Sequence, residues 1–370
     1  MDPDSGFVDT SGDGGNGSSG GASGSNGSNG ISSGGDGDGG GGSNGTSGSD
    51  SGACEGQLAP AQKLPLKMLI ALDQSGSMGN TGNSYVNLET RWKPVTAALK
   101  AFWSNPLTEG ISANLRLFPV SGTTQQTAST ACNASAYASA DVDFVALPNA
   151  APFEAKLVEN PTNYSTPTRF VLQGTVAEAD ALLDAEPTAK VVVVLVTDGK
   201  PEYCPNSNSG NNIAACKSQV EGKRFPTYVI GIAGQEGLEN NVRGIAEAGG
   251  GEAFFVSTSN AQTTQEEFVA AMDRIRTQLS SCEVLMPEPP PGQSFERDKT
   301  NVTLTSGAGQ QTLLDYNQEC AAPGTGWKFD DVAAPTRIVL CDASCTPLKE
   351  DPSSKVDVEF GCTRRGVEVH

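Results

Sequence analysis

From residue 64 to residue 281 the apolar positions alternate between two rhythms. Leu66–Leu72 is a run broken only by Lys67, and Val191–Thr197 is a continuous run that is β-branched except at Leu195. Runs this apolar predict central parallel strands buried on both faces. Asn114–Phe118, Phe225–Ile232 and Ala253–Val256 predict further strands. Between them the apolar spacing becomes helical. Arg91–Trp103 carries Trp92, Val95, Leu99 and Phe102 on one stripe, with Pro94 early, where a helix tolerates it. Phe170–Leu183 and Leu238–Ala248 predict two more helices, the second stopped by Gly249-Gly250-Gly251. Glu266–Leu279 aligns Phe268, Met272, Ile275 and Leu279. Strands alternating with helices predict an α/β fold, a doubly wound and mostly parallel sheet.

The flanks have other patterns. Residues 1–57 are Gly, Ser, Asn and Asp with almost nothing apolar, so burial cannot offset the entropy of ordering them; a disordered, mildly acidic tether is expected. Its Asp36-Gly37-Asp38-Gly39 steps lack the properly spaced terminal Glu of a calcium loop. After the α/β segment, 58–282, the prolines of Pro287–Gly292 mark a boundary. Beyond it Asn301–Thr305, Thr312–Leu314, Arg337–Cys341 and Val356–Phe360 predict short strands, and Trp327-Lys328-Phe329 is assigned to packing. Residues 283–370 are therefore expected to form a small β-rich appendage, stapled because its own core is modest.

Composition narrows the chemistry. A net charge of −19 over 370 residues argues against nucleic acid, which needs a basic surface. No stretch is apolar enough to span a membrane. The lone histidine is His370, which removes Ser-His-Asp triads, histidine acid–base work and His-containing zinc sites from inside the fold. Nine cysteines without a CxxC predict disulfides in an oxidising compartment, with an odd thiol left over. The rival is a zinc site from Cys320, Cys341, Cys345 and Cys362. Cys204 and Cys216 flank a polar loop and are expected to pair locally; the partner of Cys132 is open. Asn133, Asn163 and Asn301 head Asn-x-Ser/Thr sequences that matter only in a eukaryotic secretory pathway.

The candidate chemistry sits at the ends of the two most apolar runs. Asp73-Gln74-Ser75-Gly76-Ser77 delivers one carboxylate and two hydroxyls into a turn, with Gly76 expected to bend the backbone so that the serines face one way. Asp198-Gly199 ends the other run, and Thr166 and Thr168 lie in a loop between. Oxygen ligands with few charges suit Mg²⁺, with Mn²⁺ or Ca²⁺ as alternatives. The plainer reading of the turn is hydroxyls capping the next helix.

DxSxS, a loop threonine and a later aspartate in a Thr-Asp-Gly turn, in that order, resemble the von Willebrand factor type A (VWA) domain and its metal-ion-dependent adhesion site (MIDAS). The resemblance spans roughly residues 64–281. It implies a Rossmann-like fold and direct metal contact by Ser75 and Ser77. It also implies contact by Asp73 and Asp198, directly or through water, and a switching contact by Thr166. Thr166 is preferred to Thr168 because the family has a small residue before that threonine, here Ser165, although Tyr164-Ser165 replaces the family's frequent glycines. Because many such domains begin and end at one pole, it further implies a Cys54–Cys282 bridge. The tether is similar to those of bacterial surface lipoproteins, which implies a lipid anchor in a longer precursor.

The function expected is divalent-cation-dependent adhesion, secreted or at the cell surface. A protein partner would supply an Asp or Glu carboxylate to the bound metal. No nucleophile–base pair is visible, so no enzymatic activity is expected. Two alternatives stay open: a structural surface protein with a non-adhesive metal site, and a metal-assisted hydrolase using Asp or Glu as base.

Overall fold

The computed structural model describes residues 56–79, 87–205, 210–232, 238–292 and 294–365. In chain order its first elements are β1 (Gln57–Pro60), β2 (Gln62–Lys63), β3 (Leu66–Asp73), α1 (Lys93–Ser104), β4 (Ile111–Phe118), α2 (Ala128–Ala131), β5 (Val142–Ala146) and α3 (Ala151–Glu154). Then come α4 (Thr168–Ala185), β6 (Lys190–Thr197), α5 (Ile213–Val220), β7 (Thr227–Ile232), α6 (Leu238–Ala248), β8 (Gly250–Val256) and α7 (Ala261–Leu279). The remaining elements are β9 (Glu283–Leu285), β10 (Thr300–Thr305), β11 (Gln311–Leu314), β12 (Trp327–Phe329), β13 (Arg337–Leu340), α8 (Asp342–Glu350) and β14 (Lys355–Phe360). Cys54 and most of the expected tether lie outside the described residues.

Six strands form one sheet in the order β5-β4-β3-β6-β7-β8, parallel except for the edge strand β5. This is the doubly wound, mostly parallel sheet that the alternating pattern predicts. The period-2 geometry of the two central strands explains their continuous apolarity. Met68, Ile70 and Leu72 of β3 and Val192, Val194 and Val196 of β6 enter one core layer, which includes side chains of α1 and α7. Leu69 and Ala71, with Val191, Val193 and Leu195, enter the other layer, with α4, α5 and α6. Asn260 caps α7 by accepting a hydrogen bond from Thr263 N, and the helix starts five residues before its apolar stripe becomes legible. The edge strand β5 and the short helix α5 escape the hydropathy pattern because they are half-buried and brief.

The appendage recruits the start of the described chain. One sheet has the order β1-β14-β10-β11 and the other β12-β13-β9-β2. Residues 57–63, which hydropathy alone joins to the linker and the α/β segment, are thus strands paired with residues beyond 282. Lys63 opposes Val284, so the α/β segment begins and ends on neighbouring antiparallel strands. Trp327 and Phe329 are fully buried and meet edge to face at 5.0 Å, consistent with packing.

The cysteines correct two expected pairings and close one alternative. Cys282 bonds to Cys345 of α8, not to Cys54; β2–β9 pairing already holds the two ends of the α/β segment together. Cys204 bonds to Cys132, not to Cys216. Cys216 is free and fully buried, because its side chain turns from α5 into the core layer that α4 and α6 also enter. Cys320 bonds to Cys341, and Cys362 is also disulfide-bonded, which leaves no thiolates for the zinc alternative. Disulfides of this kind belong to a chain that folds in an oxidising compartment, at the surface or outside the cell. No helix among the described residues is long and apolar enough to cross a membrane.

A non-reduced digest should yield the linked peptides Cys132–Cys204, Cys282–Cys345 and Cys320–Cys341. Burial pushes the Cys216 thiol up to about 12, so iodoacetamide should label it only in denaturant. Cys282→Ala with Cys345→Ala opens a loop of sequence separation 63 and should cost about 2–5 kcal/mol, read by chemical denaturation.

Candidate functional site

Parallel pairing of β3 with β6 builds the site. Leu72 is in register with Val196, so Asp73 and Asp198 emerge from adjacent strands at the C-terminal edge of the sheet. The chain leaves β3 towards β4 on one side and later returns to β6 on the other. This is the topological switch point where open α/β sheets leave a crevice.

Asp73 and Asp198 are fully buried. Asp73 Oδ1 accepts from Ser75 N at 2.8 Å, and its Oδ2 accepts from Thr197 Oγ1 at 2.6 Å. Ser75 Oγ lies 3.0 Å from Ser77 Oγ, and Ser77 Oγ donates to Asp198 Oδ1 at 2.8 Å. Arg91 Nη1 donates to Asp198 Oδ2 at 2.6 Å and to Ser77 O at 3.0 Å. The serines do face one way, but not through a left-handed glycine: Gly76 is not among the residues with positive φ. The turn is held from outside. Gly76 N donates to Asn163 O at 2.7 Å, Asn163 Nδ2 donates to Gln74 O at 3.1 Å, and Asn163 Oδ1 accepts from Gly122 N at 2.8 Å.

Ser75, Ser77 and Thr166 line one open cleft with Arg91, Lys200 and Tyr203. Thr168, the rival threonine, is instead the buried first residue of α4. The Thr166 loop is fastened twice. Thr166 N donates to Glu202 O at 3.1 Å and Glu202 N to Thr166 O at 3.2 Å. Ser165, in the left-handed region at φ 83°, packs its Oγ 3.5 Å from Cys132 Sγ and 3.8 Å from Cys204 Sγ. The Cys132–Cys204 bridge therefore ties the end of α2 to the loop after β6, and the loop before α4 lies against its sulfurs through Ser165.

Electrostatics sets what the site accepts. Burial, then the neighbouring Asp198 charge, raises the Asp73 carboxyl to about 7, against hydrogen bonds from Ser75 and Thr197. Burial also raises Asp198, opposed chiefly by the Arg91 guanidinium. Two buried carboxylates thus share one cationic partner, leaving a deficit of positive charge. The hydroxyl pair fits a hard cation as well. Adjacent ligands of an octahedron with metal–oxygen distances of about 2.1 Å lie about 3.0 Å apart. A Mg²⁺-class ion suits this donor set of hydroxyls and carboxylates.

Arg91, Asn163 and Thr197 were not legible as site residues. Arg91 is only the first residue of a predicted helix, and Asn163 heads a sequence resembling a glycosylation acceptor. Asn163 is in fact buried, as a clamp. Thr197 was legible as the end of a buried strand and the start of the Thr-Asp-Gly turn, but not as a hydrogen-bond partner of Asp73.

No family model matches the chain, and no curated protein matches it. Solved structures do align. The pilus adhesin SpaC from Lactobacillus rhamnosus GG aligns at 13% identity and a TM-score of 0.43, over 81% of this chain and 40% of the adhesin. The chain thus spans about two-fifths of that protein's length. The VWA domain of SpRpn10 aligns at 10% identity and a TM-score of 0.34, over 57% of this chain and 95% of that domain. GBS104, an adhesive tip pilin from Group B Streptococcus agalactiae, aligns at 10% identity and a TM-score of 0.36, over 85% of this chain and 82% of the pilin.

The two aspartates should respond oppositely to neutralisation in chelator. Asp198→Asn strands the largely buried guanidinium of Arg91 and should cost about 3–5 kcal/mol. Asp73→Asn removes a buried repulsion and should leave stability unchanged or raised. Burial raises the Asp73 carboxyl from its ordinary 3.8 to about 7 on folding, so the folded state holds the proton more tightly. Stability of the cation-free protein should therefore fall as pH rises from about 4 to about 7. Urea titrations across that range should show the slope in the wild type and its reduction in Asp73→Asn.

Proposed function

We propose that the cleft is a divalent-cation-dependent protein-binding site on a secreted or surface-anchored adhesion protein. The observation that carries this reading is the Ser75–Ser77 hydroxyl pair, 3.0 Å apart and joined through Ser77 to one of two charge-deficient buried carboxylates. Ser75, Ser77, Asp73, Asp198 and Thr166 would hold the cation, with Mg²⁺ favoured over Mn²⁺ or Ca²⁺. Once bound, the cation supplies a fixed Lewis-acid charge for a partner's Asp or Glu carboxylate. The order of these residues along the chain supports a MIDAS of the VWA kind.

The protein's own groups do the rest. Asp73 orders the turn through Ser75 N, and Thr197 keeps the Asp73 carboxylate from rotating. Asn163 and the Cys132–Cys204 bridge keep the rim rigid, so little ordering entropy is lost when a partner docks. Tyr203, 62% exposed beside Tyr164, offers an aromatic contact at the mouth. This division of labour is one of binding, not turnover. The disulfides fit a surface or secreted location, where a lipid anchor would tether the protein.

Calorimetry should detect Mg²⁺ or Mn²⁺ binding to the wild type. Asp73→Ala should abolish it, and Ser77→Ala should weaken it at least about tenfold, both with melting curves that confirm folding. Thr166→Ala should retain cation binding while losing affinity for carboxylate-bearing partners. Unchanged Mg²⁺ and Mn²⁺ binding by folded Asp73→Ala would reject the site.

A further inference from the structure

Arg91 is a cationic side chain committed to the site from a separate element. It belongs to a π-helical turn, Leu88–Trp92, that leads into α1. The next residue, Trp92, is buried and donates from Nε1 to Val158 O at 2.8 Å, which fixes where the turn sits. Arg91 is 11% exposed, lines the cleft, and spends Nη1 on both Asp198 Oδ2 and Ser77 O.

Charge accounting gives this placement a consequence. With both ionised, as cation binding requires, Asp73 and Asp198 carry two negative charges, and Arg91 returns one. The other charged side chains lining the cleft among the described residues, Lys200 and Glu202, pair with each other at 3.0 Å. With Arg91 present the site is short of one positive charge. A divalent cation overshoots to a net charge of plus one, and one carboxylate from outside restores neutrality. Without Arg91 the same cation would neutralise the two aspartates by itself, and an anion would gain little by joining.

We infer that Arg91 is a specificity-determining residue that weakens the site for a cation alone and couples cation binding to an anionic ligand. The inference rests on the cation-site reading above and deepens it. The guanidinium also takes Oδ2 of Asp198, so that Oδ1, which accepts from Ser77 Oγ, is the oxygen left on the hydroxyl side. Such coupling is reciprocal: the carboxylate must tighten the cation as much as the cation tightens the carboxylate.

The test uses Mn²⁺, with free ion counted by electron paramagnetic resonance, and glutarate as the carboxylate probe. Wild type, Arg91→Gln, Arg91→Lys and Asp73→Ala are compared as full chains, each with a melting curve. Arg91→Gln should bind Mn²⁺ alone at least about tenfold more tightly than wild type, because a nearby like charge is gone. Saturating glutarate should tighten Mn²⁺ several-fold in wild type and in Arg91→Lys, but not in Arg91→Gln. A merely structural role predicts the opposite sign, weaker Mn²⁺ binding in Arg91→Gln. Equal or weaker binding there, or equal tightening by glutarate, overturns the inference, while Asp73-dependent binding in wild type leaves the cation site standing. If Arg91→Gln does not fold, Arg91→Lys decides: retained glutarate coupling supports the charge argument and lost coupling rejects it. Absence of Mn²⁺ binding in the wild type overturns both readings.

Discussion

Two parallel strands buried on both faces end side by side, and each ends in an aspartate. Everything at the candidate site follows from that pairing of β3 with β6. The register that matches Leu72 with Val196 is enforced by two core layers at once, since a slip of one residue would turn every side chain to the wrong layer. The cost is electrostatic. Two carboxylates lie out of water within reach of each other, and the fold supplies a single guanidinium against them. A site built this way stores an unmet demand for positive charge, and the neighbouring hydroxyls give that demand a geometry.

Meeting the demand requires that the turn after β3 and the loop before α4 stay in place. Neither has regular secondary structure to hold it. Asn163 does so for the first by mimicking a strand partner to Ser75 and donating to Gln74 O. The Cys132–Cys204 bridge does so for the second, with Ser165 laid against its sulfurs. Rigidity at the rim is what distinguishes a prepared binding face from a polar loop that must be ordered at each encounter.

The appendage solves a different problem. Its two small sheets share one core of Val284, Val302, Trp327, Phe329, Ile338 and Val358, modest for independent stability. Recruiting β1 and β2 from before the α/β segment adds a strand to each sheet and makes the α/β segment an insertion between β2 and β9. Two disulfides then staple α8 and the loop before β12 to this frame. The α/β segment is therefore anchored at both ends on one antiparallel pair.

Much of this was legible from residues alone. Periodicity reports on hydrogen bonding and burial within a few residues, so Leu66–Leu72, Val191–Thr197 and the helices around Leu99, Leu172 and Met272 were predictable. The acids terminating both runs and Ser75 and Ser77 two apart were visible for the same reason, whereas Thr166 was chosen over Thr168 only by the family resemblance. What escaped depends on residues that meet only after the chain folds. Cys132 finds Cys204 across 72 positions, and Arg91 finds Asp198 across 107. Asn163 reaches Gln74 across 89. Local pattern carries no record of such meetings, because they are set by which strand ends the sheet brings together. Composition alone determined that positive charge would be scarce in this chain. Which carboxylate received Arg91, and which was left to seek a cation, only the tertiary structure decided.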